Sequence, residues 1–178
     1  KVLDNAVIVG PAYIGKNTVI ATNALVRQSH IGADCVIGFG SEIARSYVGD
    51  SVWTHTNYIG DSVIGSDVSF GAGTVTGNLR LDEKTVQVNV TKRWGGKVEI
   101  DRIDSGLTKL GLITGDHIRI GINASFMPGV KIGSHSFIGG GITVVQDIAE
   151  HQFVRGEWKL KISENREKIT LRGKGKLF

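Results

Sequence analysis

The sequence predicts an all-β chain wound as a parallel β-helix. Three observations carry that prediction. Aliphatic residues recur every five or six positions along most of the 178-residue chain. A small residue, most often Gly, follows them, and Asn, Asp or another turn former stands two positions beyond many of those glycines. Short β-branched strands that turn this often cannot close hairpins, and sandwich strands would be spaced about eight to twelve residues apart. Three hexads make one triangular coil. The aliphatic residue points inward and the small one leaves room at the corner.

The ladder opens with Ile8-Val9, Ile14-Gly15 and Ile20-Ala21, and runs through Ile37-Gly38 to Phe70-Gly71. Residues 79–110 break the register. Thr85–Val90 and Lys97–Asp101 alternate like strands there, around Lys92-Arg93-Trp94-Gly95-Gly96, which reads as a hairpin turn. The ladder resumes with Thr114-Gly115, Ile120-Gly121, Phe126-Met127, Ile132-Gly133, Ile138-Gly139 and Val144. The expected division is therefore a β-helix over 1–148 with an excursion at 79–110, and a non-repeat capping segment over 149–178. Ser163–Ile169 reads as a short helix capped by Ser163. Arg172–Lys176 reads as a basic end.

Composition narrows the classes. The chain has 25 Gly but 2 Pro, and no G-X-Y period, which excludes collagen. Its 40% hydrophobic content excludes a disordered linker. One cysteine, Cys35, excludes a disulfide framework and a Cys-based zinc site; it reads as a small buried residue. No apolar run approaches the ~18 residues of a membrane span, and no signal peptide is recognisable. The net charge of +4 is uneven: residues 1–152 carry 13 Lys and Arg against 14 Asp and Glu, and residues 153–178 carry 8 against 3. A basic nucleic-acid face on the body is not expected. The chain begins Lys1-Val2-Leu3, which suggests a piece of something longer.

Departures from the repeat are the candidates for function. The largest is Trp53-Thr54-His55-Thr56-Asn57-Tyr58-Ile59-Gly60, followed by Ser69-Phe-Gly-Ala-Gly-Thr-Val-Thr-Gly-Asn78. His55 stands where a hexad would place a small or aliphatic residue. Asn78, roughly one coil plus a corner later, is expected on an adjacent rung of the same face. Lys84 follows at the mouth of the excursion.

The hexads resemble those of the left-handed β-helix transferases, mostly trimeric acyltransferases. The left hand and the homotrimer come from that resemblance, because periodicity alone shows neither. The pattern H-x-x-Y-[IL]-G-D…G-A-G-T-x-T-x-N is met at His55, Tyr58, Gly60, Asp61, Gly71 to Thr74, Thr76 and Asn78. It resembles the acetyltransferase domain of the bifunctional glucosamine-1-phosphate acetyltransferase / N-acetylglucosamine-1-phosphate uridyltransferases and of the archaeal-type sugar-1-phosphate nucleotidylyltransferases. I-T-G-D-H…G-V-K-I-G resembles the same family's closing coils. Ser69 stands where the family has a further substrate-binding Asn, and the excursion is longer than in the bacterial enzymes.

The resemblance implies roles. His55 is the expected general base for the attacking amine. The Ala72 amide is the expected oxyanion donor, and Glu42 an acid that orients His55. Tyr58, Asn78 and Lys84 are expected to bind the sugar phosphate, with Arg27, Arg45 and Lys109 as further phosphate contacts. Ile122 and Gly139-Gly140 mark the expected acetyl-CoA strip. The expected reaction is acetyl transfer from acetyl-CoA to glucosamine 1-phosphate or galactosamine 1-phosphate. It needs no metal and takes place in the cytoplasm, in a chain that normally follows a nucleotidylyltransferase domain. Two alternatives stand beside it: a non-catalytic trimerising or regulatory domain, and transfer to another amino sugar such as a nucleotide-linked one. The γ-class carbonic anhydrases, which share this type of fold, hold zinc with three histidines that include a His-x4-His pair, and no two histidines of this sequence are five apart. His30, His117, His135 and His151 read as surface or corner residues and Met127 as core. Trp53 and Trp94 read as packing between subunits.

Overall fold

A computed structural model describes residues 1–157 and 159–166. The chain is all-β, and no helix occurs among the described residues. It is a single-stranded left-handed parallel β-helix. Every strand pair is parallel except one hairpin.

Three faces result. The first holds seven strands, Val7–Val9, Leu25–Arg27, Glu42–Ala44, Tyr58–Gly60, Val75–Thr76, Ser125–Phe126 and Thr143–Val144. The second runs from Tyr13–Ile14 through Tyr47–Val48 to Lys131–Ile132. The third starts at Val19–Ile20, includes Val68–Phe70 and Ile118–Ile120, and ends at Phe153–Val154. That last rung pairs with Phe137–Ile138, so one strand follows the final hexad legible in the sequence. A coil takes 16 to 18 residues: Leu25 pairs with Glu42, Glu42 with Tyr58, and Ser125 with Thr143.

The inward file of aliphatics forms the core. Ile20, Val26, Ile31, Ile37, Ile43, Val48, Ile59 and Ile64 are fully buried, and Phe70 and Phe126 are the largest side chains in the core. Each rung shields its neighbours, so the chain buries apolar area by stacking. Gly15, Gly32, Gly49, Gly65, Gly115 and Gly133 form a file down one corner. A methyl group on any of them would strike backbone or side-chain atoms of the next coil. This close approach of the coils is one physical source of the glycine excess. Met127 departs from expectation. It is 43% exposed, because the strand alternation that points Phe126 inward points its neighbour out.

The excursion is the hairpin that the alternation predicts. Gln87–Trp94 and Lys97–Asp104 pair antiparallel around Gly95-Gly96, both at positive φ (56° and 78°), as a tight turn requires. Its neck closes where Leu79 meets Lys109 in an antiparallel bridge and the Leu110 N–H donates to Asn78 O (2.9 Å). Ser163–Arg166 is not helical. The rest of that expected helix and Arg172–Lys176 lie outside the described residues.

The histidines form files. His117, His135 and His151 take the same left-handed corner conformation (φ 59°) and stack with ring centroids 4.8 and 4.9 Å apart. His30 stacks between Tyr13 and Tyr47. Cys35 is fully buried, and burial pushes its thiol pKa up.

Candidate active site

Two groups of residues assemble at the two ends of the first face. One is a file along the corner where the third face turns into the first. Trp53 bridges Val36 before it and Ser69 after it, which sets His55 level with Gly38 and Gly71. The file then runs from Ala72 through Ile122 to Gly140: Asn123 N–H donates to Ala72 O (2.9 Å) and Gly141 N–H to Ile122 O (2.8 Å). His55, Ala72, Ile122, Gly139 and Gly140 are thus gathered at one corner, although 85 residues of sequence separate the ends. The His55 side chain is exposed and Ile122 is 60% exposed. Ala72 occupies a turn, and among the described residues its N–H meets no acceptor. An amide left free at a corner is a donor available to an incoming anion.

The other group is polar and lies further along the same face. Asn78 Nδ2 donates to the Tyr58 hydroxyl (3.1 Å) and to Asp61 Oδ2. Arg45 grips Asp61 through Nε and Nη2, both at 2.6 Å. Burial would raise the Asp61 pKa, but the hydrogen bonds from Arg45 and Asn78, with the Arg45 and Lys109 charges, outweigh it and hold the carboxyl below its ordinary value. Lys109 reaches this group because the hairpin neck returns beside Asn78. Glu42 stands in register with Tyr58, and its Oε1 accepts from Arg27 Nε (2.8 Å) and Nη2 (2.6 Å).

The arrangement sorts the residues read from the sequence. Tyr58, Asn78, Arg45 and Lys109 come together, with Asp61 at their centre. Arg27 and Glu42 pair with each other, so Glu42 answers to Arg27 rather than to His55. His55 and Asn78 share a face but stand at its opposite ends, since Asn78 follows the strand that His55's corner precedes. Lys84 is exposed and stands apart; its amide faces Asp82 (3.4 Å), which Arg80 holds bidentately.

Three residues were not singled out by sequence. Asp61 was only part of a pattern. Asn57 is buried (5% exposed) in the file of Ala24, Ser41, Thr74 and Ala124; a larger polar residue in a small-residue column is the signal that marks it. Gly60 leaves the space that Tyr58 and Asn78 fill: a Cβ there would lie 2.5 Å from the Tyr58 hydroxyl and 2.8 Å from Asn78 Nδ2.

Gly60 supplies a prediction. Gly60→Ala is expected to part Tyr58 from Asn78 at a cost of about 1–3 kcal/mol in stability. The altered pair would be visible in a crystal structure of the variant. An unchanged Tyr58–Asn78 contact would count against Gly60 as the spacer.

Asp61 supplies another. Its pKa is depressed in the folded state, so it adds stability above the unfolded carboxylate pKa of about 3.9, and that stability fades as pH falls through the lower folded value. Asp61→Asn is expected to lower the melting temperature at pH 7 and to flatten the loss of stability below about pH 4. Melting curves at pH 7, 4 and 3 check this. Parallel acid limbs for both proteins would contradict it.

No protein-family model matches the chain. It is 40% identical over 156 residues to the bifunctional protein GlmU of Methanococcus maripaludis, covering 87% of this chain and 33% of that protein. It is 44% identical over 136 residues to the bifunctional sugar-1-phosphate nucleotidylyltransferase/acetyltransferase of Sulfurisphaera tokodaii, covering 74% and 29%. Among solved structures, the UDP-N-acetylglucosamine acyltransferase of Campylobacter jejuni superposes with a TM-score of 0.52 at 19% identity, over 83% of this chain and 68% of that one. That likeness is one of fold. The chain spans about a third of the length of the curated relatives it matches. No helix among the described residues is long and apolar enough to cross a membrane. In sequence the chain is a relative of the bifunctional GlmU-type sugar-1-phosphate nucleotidylyltransferase/acetyltransferases, matching one segment of them, and in fold it is a left-handed parallel β-helix.

Proposed function

We propose that this chain transfers the acetyl group of acetyl-CoA to the amine of an amino-sugar 1-phosphate. Glucosamine 1-phosphate is the first acceptor and galactosamine 1-phosphate the second. The chain acts as the acetyltransferase part of a longer cytoplasmic nucleotidylyltransferase and works as a homotrimer. In that trimer, acetyl-CoA contacts of one chain face the acceptor site of another. The Sulfurisphaera tokodaii relative is named as an acetyltransferase, which supports acetyl transfer as the reaction class. The observation that carries the reading is the corner file, in which the exposed His55 lies one rung from the free Ala72 amide.

In the proposed step the neutral amine nitrogen attacks the thioester carbonyl carbon. The carbonyl oxygen becomes an oxyanion and accepts from Ala72 N–H. The His55 imidazole takes one proton from the attacking nitrogen. Collapse re-forms the carbonyl and breaks the C–S bond. The CoA thiolate leaves and takes the proton from the imidazolium. An amide and free CoA result. Tyr58, Asn78 and Lys109 serve the sugar phosphate. Arg27 and Arg45 contribute positive charge in this reading, although each already holds a carboxylate, and Lys84, exposed and apart from this group, is assigned to the phosphate by the resemblance alone.

The test is an acceptor panel of amino-sugar 1-phosphates and amino-sugar nucleotides, each supplied with acetyl-CoA. N-acetylated product is read by mass. Product from glucosamine 1-phosphate or galactosamine 1-phosphate is the expected outcome. Product from a nucleotide-linked acceptor alone redirects the substrate assignment. No product from any acceptor overturns the enzyme reading and leaves a trimerising domain.

A further inference from the structure

The corner that carries His55 differs from the corners stacked on either side. Six residue steps separate Val36 from Glu42, and six separate Ser69 from Val75. Only five separate Trp53 from Tyr58, which lie in register with both pairs. The neighbouring corners turn through a residue in the left-handed region, Gly40 (φ 63°), Gly73 (φ 76°), Asn123 (φ 53°) and Gly141 (φ 68°). None of residues 54–57 takes that conformation. One residue has gone from the turn, and the missing residue is the left-handed one.

The short turn takes His55 out of the hydrogen-bond ladder. At the equivalent positions Ala21, Gly71, Gly121 and Gly139 the N–H donates to a carbonyl of the following coil (Ile37, Ile120, Ile138 and Val154, each at 2.8 Å), and at Gly38, which faces the short turn, it donates to Thr54 Oγ1 (2.9 Å). The His55 N–H instead donates to Asn57 Oδ1 (2.7 Å). Its carbonyl accepts from the Ser41 hydroxyl, which itself accepts from Asn57 N–H (3.1 Å). Both backbone polar groups of His55 thus rest on buried side chains. The same Asn57 carboxamide donates through Nδ2 to Gly71 O (2.8 Å) and Thr74 O (3.1 Å). With one N–H and two carbonyls around it, only this orientation of the amide satisfies all three partners. Gly71 immediately precedes Ala72.

We infer that Asn57 is a positioning residue that fixes the backbone of His55 against the turn bearing the Ala72 amide, so that base and oxyanion donor keep one spacing. This rests on the acetyltransferase reading above and deepens it. A buried amide with three partners holds a shortened turn rigidly, whereas an exposed corner without it would relax by local opening. Rate is sensitive to such placement; a displacement of about 1 Å can cost about 10²-fold.

The test uses the full chain with acetyl-CoA and the acceptor that the panel identifies. Asn57→Ala is expected to lower kcat about 10–100-fold, with KM for both substrates within about twofold. In the His55→Ala background Asn57→Ala is expected to cost nothing further, because it acts through His55. Additive losses in the double variant, or loss confined to KM, would assign Asn57 to substrate binding or general stability and overturn the inference. Ser41→Ala removes the hydroxyl that donates to His55 O and accepts from Asn57 N–H, leaves the Asn57 carboxamide in place, and serves if Asn57→Ala does not fold. A smaller fall in kcat alone is expected, and it too should vanish in the His55→Ala background. Full activity of Asn57→Ala or Ser41→Ala, in a protein that His55→Ala inactivates, overturns the positioning role and leaves the enzyme reading standing. An inactive wild type overturns both.

Discussion

His55→Ala is expected to lower kcat for acetyl transfer about 10²- to 10⁴-fold, the usual share of a positioned general base. Stability should change by less than about 0.5 kcal/mol, since the imidazole is exposed. The backbone of His55 is held by Asn57 and Ser41, not by its own ring. The two measurements together separate chemistry from folding. Steady-state rates with acetyl-CoA and amino-sugar phosphate give the first, and a melting curve the second. A variant that retains kcat within about twofold of wild type removes His55 from the mechanism.

The largest expected stability loss is at Phe70. It is 1% exposed and fills the coil between Trp53's rung and Ile120. Phe70→Ala should cost about 3–5 kcal/mol through lost burial and a residual cavity. The loss should appear in denaturant unfolding at fixed protein concentration, since association would otherwise shift the midpoint. Phe70 directly precedes the Gly71-Ala72-Gly73 turn, so relaxation of the cavity should also disturb the Ala72 amide, the proposed oxyanion donor. A loss under about 1 kcal/mol would mean that the neighbouring coils collapse onto the gap, contrary to the close fit of Ile20, Ile37 and Ile120 along this face.

Much of the fold was legible because strand alternation and coil period are local properties. Ile, then Gly, then a turn former writes inside, corner and bend into three or four residues. The Gly95-Gly96 turn likewise announces a hairpin to anyone reading its flanks. The candidate site was legible as a set of residue types and less so as a set of contacts. Glu42 illustrates the difference. Its sequence position is compatible with orienting His55, yet its carboxylate lies under Arg27 in the next row. Lateral neighbours on a β-helix depend on the length of each coil. That length varies here between 16 and 18 residues, so an error of one residue moves a side chain to another row.

The sequence by itself determined the β-helix, its inward ladder, its hairpin excursion and the residues whose chemistry breaks the repeat. Those follow from side-chain shape and backbone preference over short spans. The tertiary structure alone decided which of them meet. It set His55 a rung from Ala72, gave Arg27 to Glu42 and Arg45 to Asp61, and returned Lys109 beside Asn78 across the hairpin neck. It also exposed the shortened corner that Asn57 braces. Each of these depends on how coils register against one another. Register is fixed by the packing and hydrogen bonding of the whole stack, which no single hexad contains.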